Sequence, residues 1–492
     1  MARAEALEYT LKDIVNMPRL MFYSSLAWFF TGGFAALLMV LSHATRTLSI
    51  PAYYEAMTAH GMLMVFGGLF QLMKSLSLLR AGICYGKPVK GFLTTASYIL
   101  SNLGVLMMFI AAISGVRISY TLMFPLPAVG ALKGLWSLDM VAVMVWGIVL
   151  TLIDVIILYP MMLAWLMFFG KTKEALVLER FVGTLNPAGM AGMLPYIFII
   201  PPLGSAILLG ALFIGLALVG VLSLESVAWF LNPLNFNYPF WVFAHNLMEA
   251  MGIMALGTVY WLIPRYTADY SRPAGAEPRL YSEKLGIFAI VFYTAAAVIA
   301  FPHHLFTMPT SQPVGLSYTG QAASWLTGFG AAFSVFNVSA TAYRSGIRLT
   351  PAVLAALLGF MLYITDGFVA MQLGTIGWAF QLHGTYYATA HLMTILLSVT
   401  LVWIGAMYHS VQLILGRTVG EKLAYAHIIL TAMAGFGFLY TMSYMGAAGI
   451  PRRFYPIPSE TIQPSIALFV FGVILAVGQL LFLAGLMRRR QL

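Results

Sequence analysis

Runs of about twenty apolar residues, each closed by charges or by Pro and Gly, recur along the whole chain. A helix needs about 20 such residues to cross the hydrocarbon core of a bilayer. The runs fall near residues 20–42, 54–79, 92–115, 138–160, 189–220, 237–263, 284–305, 316–343, 351–376, 382–411, 420–445 and 463–487. They predict an all-α membrane protein, a bundle of twelve transmembrane helices. The stretch before residue 20 carries Glu5, Glu8, Lys12, Asp13 and Arg19 and reads as an amphipathic preamble, not a cleavable leader. No long linker or low-complexity tract divides the chain, so residues 1–492 are expected to form a single polytopic domain.

Composition agrees with that pattern. Hydrophobic residues make up 61% and charged residues 9%, against roughly 25% charged in soluble domains, which excludes a water-soluble globule. Cys84 is the one cysteine, so neither a disulfide nor a C-x-x-C-H haem attachment exists within these residues. The net charge of +10 speaks of topology before nucleic acid, for which no partner role is expected. Twelve spans put both termini on one side. That side collects Arg3, Lys12, Arg19, Lys74, Arg80, Lys87, Lys90, Lys171, Lys173, Arg180, Arg265, Arg272, Arg279, Lys284, Arg344, Arg348, Arg417, Lys422, Arg488, Arg489 and Arg490. The other side keeps Arg46, Arg117, Lys133, Arg452 and Arg453. Basic residues favour the cytoplasmic side of a membrane, so both termini are expected there, in a prokaryotic cytoplasmic membrane.

Ionisable groups within a bilayer are costly and ask for a reason. Of nine histidines, His43, His409 and His427 read as satisfied or interfacial. His60, His245, His303, His304 and His391 come from four separate predicted helices, yet all fall in the outer third of the membrane, with His383 nearer the surface. A metal-binding layer explains that alignment better than a structural polar network, because imidazole is the usual ligand for haem iron, copper and non-haem iron. His245 and Glu249 are four apart and share a helix face. With His303 and His304 they can converge on one ion. His391 and Met393 are two apart and point about 200° apart on a helix, so one helix can serve two centres. Arg452 and Arg453 are either a solvated loop pair or guanidinium forks for outward-pointing haem propionates. Asp154 and Asp366 are the remaining acids well inside helices, marking a proton route or pairing with neighbours.

These positions together resemble the haem-copper oxidase superfamily: twelve helices, His60, His245, the His303-His304 pair and the run His383-Gly-Thr-Tyr-Tyr-Ala-Thr-Ala-His391. The segment from His427 to Tyr455, with Gly449-Ile450-Pro451-Arg452-Arg453, is similar to subunit I of the A-type oxygen reductases. The resemblance implies that His60 is an axial ligand of a low-spin haem and His391 the proximal ligand of a high-spin haem. It further implies that His245, His303 and His304 hold a non-haem metal, and that Arg452 and Arg453 meet propionates. His383 matches a position near a structural Mg or Ca ion, although Gly384 stands where an acid usually follows. At Met393 the superfamily normally has the second histidine of the low-spin haem; the Met393 thioether is expected to take that place as ligand, with a packing methionine as the alternative.

The departures shape the functional expectation. Glu249 replaces the tyrosine of A-type oxygen reductases, as in the superfamily's nitric oxide reductases, and is expected as a ligand of the metal or a proton donor. Leu247 stands for a pathway glutamate, and Gln321 is matched to a pathway lysine. Tyr293, which could stand in for the phenol as in C-family oxidases, lies ten residues before His303 and is expected to pack. The expectation is a respiratory nitric oxide reductase with two haems of b type, one low-spin and one high-spin, and a non-haem ion, iron favoured over copper. A non-pumping terminal oxygen reductase is the alternative. A second subunit, a soluble cytochrome or quinol would supply electrons.

Overall fold

The structure, a computed structural model, describes residues 2–89, 91–118, 127–169, 186–267, 278–307, 312–416 and 418–487. Twelve long helices dominate it: α1 (Ala2–Thr45), α2 (Ile50–Tyr85), α3 (Gly91–Ile113), α4 (Leu138–Phe168), α5 (Leu194–Leu218), α6 (Pro233–Leu262), α7 (Glu283–Ala300), α8 (Val314–Ser345), α9 (Pro351–Leu373), α10 (Tyr386–Leu415), α11 (Glu421–Ala447) and α12 (Ile462–Met487). Each predicted run coincides with one of them. Among the described residues, eleven helices or helical segments are both long and apolar enough to span a bilayer. The exception is α8, whose 32 residues are rich in Gly, Ser and Thr; length, not hydropathy, makes it the twelfth. Among the described residues β-pairing is confined to two isolated bridges, Thr267 with Ile347 and Thr385 with Pro451.

Each helix packs against its successor, and α1 closes on α12. Burial grades inward from that rim. The apolar windows of α6 and α2 are 83% and 78% buried, those of α1 and α12 only 11% and 17%. The protein's own helices therefore surround α2 and α6, while α1 and α12 turn their apolar surface outward, to lipid in a membrane.

Several boundaries differ from the expected ones for physical reasons. The polar preamble continues into α1, which begins at Ala2. Gly384 and Thr385 interrupt the tenth run: α10 starts at Tyr386, with the Thr385 side chain accepting from Tyr387 N. His383 thus sits in the preceding turn and does not share a helix with His391. Wide π-helical turns, often seen at functional positions, interrupt α2 at Leu63–Leu69 and α4 at Asp154–Leu158.

Two charges assigned to a flanking position lie inside the bundle instead. Lys74 Nζ donates to Asp154 Oδ2 at 2.6 Å and to Ser97 Oγ at 3.0 Å, and Ser97 Oγ in turn donates to Asp154 Oδ1. Both ionic side chains are fully buried. Arg80 is buried too, its guanidinium 4.8 Å from the Trp261 ring. These residues do not report on sidedness, because both side chains are buried within the bundle: Lys74 falls inside the counted apolar run and Arg80 on its continuation to Tyr85. Of the other charges used in that argument, Lys90, Lys171, Lys173, Arg180, Arg272, Arg417 and Arg488, Arg489 and Arg490 lie outside the described residues.

Candidate metal and haem centre

Helix α6 carries Trp241, His245 and Glu249 at intervals of four, hence on one face. Opposite it, Pro302 ends α7 by denying the backbone donor a further helical turn needs. The chain tightens into a 3-10 turn, Phe301–Leu305, that presents His303 and His304. Ligand nitrogens of His245, His303 and His304 all lie within 4.8 Å of one another.

The surrounding hydrogen bonds decide which nitrogens are available. A carbonyl only accepts, so His245 donates Nε2–H to Ala297 O at 2.9 Å and keeps a lone pair on Nδ1. That Nδ1 lies 3.3 Å from His304 Nε2. Two nitrogens bound to one ion at about 2 Å each would be about 3.4 Å apart in a tetrahedral site. Ser324 Oγ spends its proton on Gly320 O at 2.7 Å and therefore accepts from His303 Nδ1–H at 2.8 Å, freeing His303 Nε2. His304 is stacked on Trp241, ring centroids 3.9 Å apart and 5° from parallel. Three converging imidazoles, two of them with tautomers fixed by their second ring nitrogen, fit a metal ion.

The ring nitrogens available for haem are set in the same way. His60 donates Nδ1–H to Gly32 O at 3.1 Å, and His391 donates Nδ1–H to Asp366 Oδ2 at 2.9 Å. Each keeps Nε2 for an axial position, so this donor set fits haem iron. Met393 is partly buried and packs against an apolar cluster drawn mainly from α9, α10, α11 and α12. The Arg452–Arg453 loop is pinned to the start of α10, Arg452 N donating to Gly384 O at 3.0 Å and Tyr54 Oη donating to Arg453 O at 3.1 Å. His383 lies in that same corner. Burial and the nearby Arg452 charge push its imidazole down to about 4.

Glu249 does not belong to the three-histidine group. Its Oε2 accepts from Tyr293 Oη at 2.9 Å, and Tyr293 Oη meets Tyr363 Oη at 2.7 Å. The expectation that Tyr293 only packs is therefore incorrect. Counting ten residues back from His303 assumed a continuous helix, but α7 ends at Ala300. Glycines accommodate the pair: a Cβ on Gly252 would lie 2.8 Å from Tyr363 Oη, and one on Gly330 2.8 Å from Tyr293 Cβ. A cavity of about 20 Å³ beyond them is lined by Gly252, Tyr293, Ser334, Tyr363 and Ser398, room for about one water. Gln321 is not on this inward side. Its Oε1 caps Ile376 N at 2.8 Å, two turns from the start of α8 and at the level of His303, so the match to a pathway lysine fails.

The family described as cytochrome c and quinol oxidase polypeptide I matches residues 16–481. The chain belongs to this family. Its members lie within the haem-copper oxidase superfamily, and the chain is a multi-pass membrane protein of that group. Among its relatives, the heme-copper oxidase subunit I+III of Aeropyrum pernix is 25% identical over 504 residues, covering 97% of this chain and 57% of its own length. The alternative cytochrome c oxidase subunit 1 of Bradyrhizobium diazoefficiens is 25% identical over 262 residues, 52% of this chain and 42% of its own. The chain thus spans roughly half the length of these relatives. A cryo-EM structure of a heme-copper terminal oxidase dimer superposes with a TM-score of 0.76 at 17% identity, covering 99% of this chain and 85% of that one. At that identity the likeness concerns the fold alone.

The remaining histidines are satisfied. His43 pairs with Tyr53 Oη at 2.5 Å and Tyr386 Oη at 3.3 Å, His409 with Tyr266 Oη at 2.8 Å, and His427 with Tyr408 Oη at 2.8 Å. Tyr363 and Trp241 escaped the sequence reading. A signal existed for both: Trp241 is four residues before His245, and Tyr363 is three before Asp366 in a largely apolar helix.

Proposed function

We propose that this protein is a respiratory nitric oxide reductase, converting two nitric oxide molecules, two electrons and two protons to nitrous oxide and water. One observation carries the reading. A carboxyl, Glu249, stands one turn from His245 on the α6 face where the A-type resemblance implies a phenol, and it is hydrogen-bonded to a tyrosine. Bound there, the high-spin haem and the non-haem ion would supply electrons and Lewis acidity to two nitrogen oxides held side by side.

The chain's residues do the rest. His245, His303 and His304 hold the ion and His391 the high-spin haem; His60 and Met393 serve the low-spin haem. Arg452 and Arg453 bind propionates, and His383 stands near a structural cation. The haems are of b type, and an ion held by imidazole with a carboxyl nearby suits iron better than copper. Because Tyr293 holds Glu249 apart from the three imidazoles, Glu249 acts as the proton donor rather than a ligand. It gives up, one at a time, the two protons with which the departing oxygen leaves as water; each is replaced by Tyr293, which donates to Oε2 and is itself reprotonated by Tyr363 from the water-sized cavity beyond. The protein sits in a prokaryotic cytoplasmic membrane with both termini inside and the site in the outer third. A second subunit, a soluble cytochrome or quinol delivers electrons.

Oxygen reduction is the second reading. It is favoured by the phenol of Tyr293 beside Glu249 and by the oxidase names of the relatives. Steady-state turnover of one holoenzyme preparation with nitric oxide and then with oxygen, under one electron donor, separates the two. Faster nitric oxide consumption with stoichiometric nitrous oxide is expected. Oxygen turnover without nitrous oxide formation would sink the first reading.

A further inference from the structure

Asp366 lies about two thirds of the way along α9, 2% exposed, where an unpaired carboxylate would be costly. Its Oδ2 accepts from His391 Nδ1 at 2.9 Å, while its Oδ1 has no protein partner. The carboxylate's protein hydrogen bonding is thus concentrated on one imidazole. His60, His245 and His303 differ, giving the corresponding ring proton to neutral oxygens, those of Gly32, Ala297 and Ser324.

That contrast has an electronic consequence. A ring that donates to a carboxylate becomes a more basic ligand through its other nitrogen. A stronger donor favours the ferric over the ferrous state and shortens the bond to iron. We infer that Asp366 is a positioning residue that fixes the His391 tautomer and gives this axial ligand imidazolate character, lowering the potential of the high-spin haem relative to a neutral-oxygen arrangement. The inference rests on His391 being the proximal ligand, as proposed above. It goes beyond that reading by assigning an electronic role to a residue on another helix.

The test uses the holoenzyme with both haems in place. Asp366→Asn keeps the shape and an acceptor oxygen but removes the charge. It should retain the high-spin haem, move the iron–histidine stretching band of the ferrous state to lower frequency in resonance Raman spectra, and raise the midpoint potential of that haem. The low-spin haem's potential should stay where it is. An unchanged stretching band and potential would overturn the inference and leave the ligation intact. His391→Ala tests the ligation separately: it should abolish the high-spin signature, and its persistence would refute the underlying assignment. If Asp366→Asn does not assemble, the unaltered enzyme still decides. Its ferrous band should lie above that of a neutral imidazole bonded to a carbonyl, and a band at the neutral frequency overturns the proposal.

Discussion

Glu249, Tyr293 and Tyr363 form a chain of side-chain hydrogen bonds across α6, α7 and α9. At the small cavity, Tyr260 Oη donates to Ser334 Oγ at 2.7 Å, which extends the run of hydroxyls past the tyrosine pair. Tyr293→Phe should therefore lower turnover by roughly 10²-fold, within the usual range for a lost proton-transfer group, with both haem spectra unchanged. Tyr363→Phe should have a smaller effect in the same steady-state assay. His303→Ala should leave the haems in place and lose the non-haem ion, read directly by metal analysis. At His383 the sign of the pH effect follows from an imidazole held near 4 in the fold against about 6.5 when unfolded. Its contribution is complete above pH 6.5 and is lost as pH falls towards 4. Thermal unfolding at pH 7 and pH 5 should show a loss on the order of 1–2 kcal/mol that His383→Gln removes. The histidines were legible because each breaks an apolar run. The tyrosines were not, because a tyrosine inside a helix usually packs, and the 3-10 turn at Phe301–Leu305 breaks the helical count by which Tyr293 was placed relative to His303.

The positions of the helices were readable from length and hydropathy, even for α8, whose small polar residues blur its apolar signal. Partnership between helices was not. Lys74 and Asp154 are 80 residues apart, and the pairing of Asp366 with His391 also crosses between neighbouring helices. No spacing rule within one helix links such residues. The buried Lys74–Asp154 pair has an energetic signature of its own. Removing one partner strands the other's charge, which typically costs 3–5 kcal/mol, whereas replacing both by apolar side chains is often neutral. Lys74→Met and Asp154→Leu should each lower the thermal midpoint of the detergent-solubilised protein, and the double variant should recover most of the loss. Equal, additive losses would mean that the pair is not coupled.

For the whole molecule, the proposed twelve spans would set both ends of the chain on one face, with the histidine layer towards the other. A reporter fused at either terminus should give a cytoplasmic signal, and one inserted at Gly220, between α5 and α6, should give the opposite signal. A shared signal would break the twelve-span topology. The wide turn at Leu63–Leu69 lies between His60 and Lys74 on α2. Taking out a single residue there would rotate everything after it by about 100°, swinging the ammonium away from its acid while His60 keeps its bearing. The two levels of the bundle are thus coupled through a joint with one residue of slack, and gain or loss of that residue is a route by which one level could change its chemistry while the other stays in register.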